Sequence, residues 1–183
     1  MSTEKIILGI DPGTNTMGYG ILEVINKQPV LVDLGIIELG KIKDHYIKLK
    51  NIFEKTLELV DRYHPDELAI EAPFYGKNVK SMLLLGRAQG VAISAALSRS
   101  IPIFEYAPKK IKLSITGKGN ASKEQVAALL QSILKIDKIP EKLDATDGLA
   151  AALCHFYQNK ITNNSDSYKN WNEFIRKNPG RMK

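Results

Sequence analysis

The sequence predicts an α/β protein, with one mixed five-stranded sheet flanked by helices. Three observations lead there. A nearly continuous apolar run at 5–11 has the pattern of a central strand covered on both faces. Two further strand-like segments, at 17–25 and 29–38, are separated by the polar turn Asn26-Lys27-Gln28-Pro29, the spacing of an antiparallel meander. After them, helical and strand patterns alternate.

The first strand ends at Asp11, a residue that strands avoid, followed by Pro12 and Gly13, which suit a turn. A helix is predicted over 44–63, with Ile47, Leu49, Ile52, Leu57 and Val60 on its apolar face and Pro65 beyond its end. Glu67-Leu68-Ala69-Ile70 forms a short buried strand that stops at Glu71. A second helix covers 78–98, and 101–106 reads as the fifth strand. A basic, weakly helical segment at 108–115 precedes the loop Thr116–Ala121 and a helix over 123–135, for which Ser122 and Gln125 have capping-box spacing. The last helix begins near Asp144 and runs to about 158. The expected organisation is one domain over 1–159 and a basic, aromatic-containing tail over 160–183, with no internal repeat.

The chain has 183 residues, 44% hydrophobic and 25% charged, an ordinary globular composition long enough for a proper core. No stretch approaches the roughly 18 apolar residues of a membrane span, and the N-terminus lacks the order of a secretory leader, so cytoplasmic residence is expected. One cysteine, Cys154, excludes an internal disulfide and a cysteine-based zinc cluster. A net charge of +6 favours a polyanionic partner, nucleic acid first.

Four acids stand out by position. Asp11 and Glu71 end two strands that such a sheet can place side by side, and Asp144 and Asp147 fall on one side of the first turn of the last helix. Each has an ordinary role open to it: a turn residue, a paired buried acid, an N-cap, a helix-dipole partner. If the last helix packs its N-terminus against the strand ends, however, the four meet, and such a cluster needs protons or cations. Hard oxygen ligands point to Mg²⁺ or Mn²⁺. Two such ions roughly 3.5–4 Å apart activate water and stabilise the leaving oxygen of a phosphodiester.

The segments "ILGIDPGTNTMGYG", "LAIEAPFYGKN", "GRAQGVA", "FEYAPKKIK" and "DATDGLAAALCH" together resemble the bacterial RuvC family of Holliday-junction resolvases, in the right order over about residues 5–157. The resemblance implies a ribonuclease-H-like fold and a homodimer. It implies paired, symmetric Mg²⁺-dependent nicks across a four-way DNA junction, leaving 5′-phosphate and 3′-hydroxyl ends, in DNA recombination and repair. It further implies cooperation with a branch-migration helicase complex. The family's four catalytic carboxylates, which hold two Mg²⁺ ions, fall on Asp11, Glu71, Asp144 and Asp147.

Phe74 and Tyr75, with Lys77 on the same loop, could stack on bases unpaired at a junction or simply pack the loop; the resemblance places Phe74 against unpaired bases. Lys109, Lys110, Lys112, Lys118 and Lys123 are candidate phosphate contacts, and the resemblance singles out Lys112 and Lys123 as lying near the active site. Their loop is not a P-loop, because Lys112 stands where its first glycine would be. Small residues in helix 78–98 (Gly86, Ala88, Gly90, Ala92) allow close approach, and in the resembled family this helix contributes to the dimer. His155 and Cys154 read as packing residues. The tail carries six Lys/Arg against Asp166 and Glu173, with Tyr168, Trp171 and Phe174 spaced three apart, as a packing extension or an arm for DNA.

Rival readings are distinguishable by chemistry. An actin-like or sugar-kinase-like ATPase shares the "GIDPGT" strand motif but needs a second comparable domain. A ribonuclease H would use the same acids on an RNA–DNA hybrid. A DNA-binding module with a decayed site would not keep four carboxylates.

Overall fold

The computed structural model describes residues 3–73 and 78–164. The long, two-sided apolar run becomes β1 (Thr3–Asp11), the central strand of a five-stranded sheet ordered β3-β2-β1-β4-β5. β2 (Thr16–Ile25) and β3 (Gln28–Glu38) pair antiparallel in a meander, whose turn residues Asn26 and Lys27 both take positive φ. Pro29 lies on β3, an edge strand, where a missing N–H is tolerated. β4 (Glu67–Glu71) and β5 (Ile103–Tyr106) add in parallel on the other side of β1. Ile10 pairs with Ile70 and Glu71 with Tyr106, so Asp11 and Glu71 end adjacent strands at the same sheet edge.

Alternation along β1 sorts the core. Leu8 and Ile10 face α1 (His45–Tyr63) and α2 (Val79–Leu97) with Met17, Ile21, Leu68 and Ile70. Ile7 faces the opposite side with Leu22, Ala69 and Tyr106, beneath α3 (Pro108–Thr116), α4 (Lys123–Leu134) and α5 (Asp144–Asn164). The same period of two turns Asp11 and Glu71 toward the α5 side. Each fully buried Leu or Ile contributes roughly 1.5–3 kcal/mol to holding these layers together.

Local signals set the helix ends. Asp44 caps α1, accepting from Tyr46 N at 2.8 Å and Ile47 N at 3.0 Å, and Asn78 caps α2. Ser122 and Gln125 form the expected capping box at α4. Two elements differ in extent from the sequence reading: β5 begins at Ile103, after Pro102, and α5 continues to Asn164 rather than ending near 158.

The seating of α5 is governed by glycine. A Cβ on Gly18 would lie 1.9 Å from the Asp144 carbonyl oxygen, and one on Gly148 would lie 2.5 Å from the Tyr19 Cα. The first turns of α5 therefore rest on the backbone of β1 and β2, which brings Asp144 and Asp147 to the edge where β1 and β4 end.

Candidate active site

Asp11, Glu71 and Asp147 line one cavity of about 710 Å³, together with Ala72, Pro73, Ala107, Pro108, Lys109, Lys112, Gly119 and Lys123. Three segments far apart in sequence supply its acids: a strand end, the neighbouring strand end and a helix start. Asp144 joins them through Lys123, whose ammonium bridges Asp144 Oδ1 at 2.9 Å and Asp147 Oδ2 at 2.5 Å.

Burial and mutual repulsion set the electrostatics. Burial pushes the Asp11 carboxyl well above the usual range, and Glu71, Asp147 and Asp144 push it further; Lys123 opposes them. Burial and the Asp147 charge push Glu71 up to about 7, against Lys123 and Lys112. Asp147 is also raised, because burial outweighs the hydrogen bond and charge of Lys123. Burial disfavours the Lys123 ammonium, but its two carboxylate partners reverse that and hold its pKa well above the ordinary lysine value. The edge is thus short of positive charge, which a bound cation would supply.

The donors fit a hard divalent cation. All four are carboxylates, the lining contains neither histidine nor cysteine, and a positive group already sits between two of them. Among the described residues no three of these side chains close on a single point as a finished metal cage. Asp11, Glu71 and Asp147 line the cavity, and Lys123 stands between Asp147 and Asp144.

The other predicted residues divide. Lys109 and Lys112 line the cavity with Lys123. Lys110 and Lys118 are not among its lining residues: Lys110 Nζ lies 5.4 Å from the centroid of the Tyr106 ring, and Lys118 is exposed in the loop that Thr116 Oγ1 braces at 2.9 Å. Phe74, Tyr75 and Lys77 lie outside the described residues, as does the tail beyond Asn164. α2 buries Ala88, Gln89, Ala92, Ala95 and Ala96 on the body. Its outward positions Val79, Leu83 and Leu97 are 65%, 60% and 55% exposed, and nothing lies within 4 Å of a Cβ built on Gly86 or Gly90.

Sequence reading missed the polar company of His155. It is fully buried, as a packing residue would be, yet it hydrogen-bonds Tyr106 and Glu67. Glu67 precedes it by 88 positions, and no local spacing announces the pair.

The family model described as Crossover junction endodeoxyribonuclease RuvC matches residues 7–155. The chain is 61% identical over 183 residues to a Crossover junction endodeoxyribonuclease RuvC of Christiangramia forsetii, covering 100% of this chain and 95% of that protein. It is 60% identical over 182 residues to the protein of that name from Bacteroides fragilis, over 98% of this chain and 97% of the relative. Thermus thermophilus RuvC, solved in complex with Holliday junction substrate, matches with a TM-score of 0.79 at 28% identity, over 87% of this chain and 98% of that one. The yeast mitochondrial Holliday junction resolvase Ydc2 shares the fold, with a TM-score of 0.64 at 14% identity over 93% of this chain and 83% of its own. A match running from the central strand into the helix that carries two of the four acids leaves one assignment: the chain belongs to the RuvC family of crossover junction endodeoxyribonucleases.

Proposed function

We propose that this chain resolves four-way DNA junctions, and that Asp11, Glu71, Asp144 and Asp147 are its catalytic carboxylates, holding two Mg²⁺ ions, with Mn²⁺ able to substitute. Nucleases of this family are metal-dependent. The observation that carries the residue assignment is the convergence of Asp11, Glu71 and Asp147 on one cavity edged by three lysines.

When bound, the ions supply Lewis acidity at the scissile phosphate and a readily deprotonated attacking water. The protein does the rest. Asp11 and Glu71, on rigid strand ends, fix where positive charge can reside. Asp144 and Asp147 approach from the helix side and share Lys123, so a ligand change at one acid is felt by the others. Lys109 and Lys112 give the backbone phosphates a positive wall, and Lys112 and Lys123 oppose the negative charge that grows on the phosphate during cleavage. Phe74 and Tyr75 follow Pro73, which lines the cavity, and we assign them to stacking on unpaired bases, with Lys77, Lys110 and Lys118 as further phosphate contacts.

A homodimer joined through the outer side of α2 would match the two-fold symmetry of a four-way junction and deliver two nicks. Exposed Val79, Leu83 and Leu97 support that surface. Among the described residues no helix is long and apolar enough to cross a membrane. We assign the work to the cytoplasm, beside a branch-migration helicase complex.

The test is cleavage of a synthetic four-way junction beside duplex and RNA–DNA hybrid controls, with and without Mg²⁺, for the wild type and Asp11→Asn. Paired symmetric nicks requiring both Mg²⁺ and Asp11 are expected, with junction binding and folding intact in the variant. Wild-type cutting by Asp11→Asn would remove Asp11 from the metal site; preferred cutting of the hybrid would change the substrate.

A further inference from the structure

Two carboxylates that repel each other make a poor foundation for a precise site. Glu71 on β4 and Asp147 on α5 line one cavity, and the Asp147 charge adds to the cost of ionising Glu71. Farther along the same two elements lies an attractive cluster, which Tyr106 of β5 reaches from its place beside Glu71. His155 Nε2 is 2.5 Å from Glu67 Oε2, and His155 Nδ1 is 2.6 Å from the Tyr106 hydroxyl. Asn159 Nδ2 donates to the same Glu67 oxygen at 3.1 Å, and Lys5 Nζ lies 2.5 Å from the other oxygen.

The two pairs form the ends of one frame. Asp147 and His155 are eight residues apart on α5, a rise of about 12 Å. Glu71 and Glu67 are four apart on β4, a span of about 13 Å. The elements run in opposite senses, so Asp147 stands opposite Glu71 while His155 stands opposite Glu67. Between the ends, α5 rests on the sheet where Gly148, Leu149 and Ala152 sit close on Gly9 and Gly20 of the strands. Burial holds the His155 pKa below its ordinary value although Glu67 opposes this. A neutral ring suits both of these bonds: the Tyr106 hydroxyl donates to Nδ1, and Nε2–H donates to Glu67. Burial raises Glu67, but hydrogen bonds from Lys5 and His155 overcome it and keep the carboxyl ionised.

We infer that Tyr106, His155 and Glu67 are positioning residues that fix the register of α5 on β4, and thereby set the separation of Asp147 and Glu71 before any divalent cation binds. The inference rests on the metal-site reading above. Without the pin, the repelling acids relax apart, and cation binding must first draw them together. The affected quantity is the affinity for the cation, while the chemistry of the loaded site stays intact.

The experiment measures Mn²⁺ binding to the full-length, DNA-free protein by electron paramagnetic resonance of free Mn²⁺, alongside the Mg²⁺ dependence of junction cleavage. Tyr106→Phe removes one hydroxyl and keeps the ring; His155→Phe keeps the volume and removes both bonds. Each should weaken Mn²⁺ binding about threefold to tenfold, near the lower end of what outer-shell partners of metal ligands contribute. The Mg²⁺ midpoint for cleavage should rise by the same factor, with the rate at saturating Mg²⁺ within about twofold of wild type. Leu59→Ala, in the core on the other sheet face, controls for lost stability and should leave the Mn²⁺ midpoint unchanged. If Tyr106→Phe binds Mn²⁺ like the wild type, or Leu59→Ala weakens binding equally, the positioning role is wrong. Glu71→Gln separates the two readings, because unchanged Mn²⁺ binding in that variant would overturn the metal site itself.

Discussion

Glu71 shows how a single side chain carries the tension of the site. Its pKa, pushed up to about 7 by burial and by Asp147, lies above the ordinary glutamate value of 4.5. The metal-free fold therefore holds this proton more tightly than the unfolded chain does. Its contribution to stability is fully present below about pH 4.5 and is lost as pH rises through 7. Glu71→Gln should then stabilise the metal-free protein at pH 8 by about 1–3 kcal/mol and have almost no effect at pH 4.5. Urea unfolding in the presence of a chelator at the two pH values measures this, and a variant less stable than wild type at pH 8 would show that Glu71 is not strained. By the same linkage, Mg²⁺ should raise the wild-type Tm more at pH 8 than at pH 6, since the cation competes with the proton.

Among the elements, α5 demands the most of its neighbours. Its N-terminal turns lie directly on the strand backbones because Gly18, Gly20 and Gly148 have no Cβ. Gly148→Ala would place a methyl group 2.5 Å from the Tyr19 Cα, a backbone atom that cannot step aside. A loss of about 3 kcal/mol or more in denaturant unfolding is expected, with cleavage falling as Asp144 and Asp147 move; a fully stable, fully active variant would contradict the close seating. Much of this architecture was legible in the sequence. Hydrophobic period and turn residues located every strand and helix, the Ser122–Gln125 cap marked the start of α4, and the misplaced Asp11 pointed to the site. The unread parts are contacts between distant segments. Lys123 could be chosen as a basic residue near the site, but its bridge to Asp144 and Asp147 depends on where α4 is carried by the α3–α4 loop. His155 looked apolar by company because its partner Glu67 is on another element. Polar residues beyond 158 gave no stop signal, so the true length of α5 was hidden as well.

At the scale of the whole molecule, one flank of α2 is left without cover among the described residues, while the other is packed on α1 and the sheet. Replacing Leu83 with glutamate places a charge in the middle of that flank. If the proposed dimer forms through this flank, sedimentation should show a dimer for the wild type and a monomer for the variant, whose junction cleavage should give single, uncoordinated nicks. An unaltered dimer would move the interface elsewhere. The acids at positions 11, 71, 144 and 147 come from three elements, β1, β4 and α5, so the proposed site needs all three in place. β1 and β4 can pair once the first seventy or so residues exist, yet the helix supplying the last two acids lies close to the C-terminal end of the matched region. With the proposed catalytic acids, a nascent chain that has not yet made α5 would lack two of the four. The ability to cut DNA would then arise only once α5 has been made and has docked, so translation order itself would guard against a half-made nuclease.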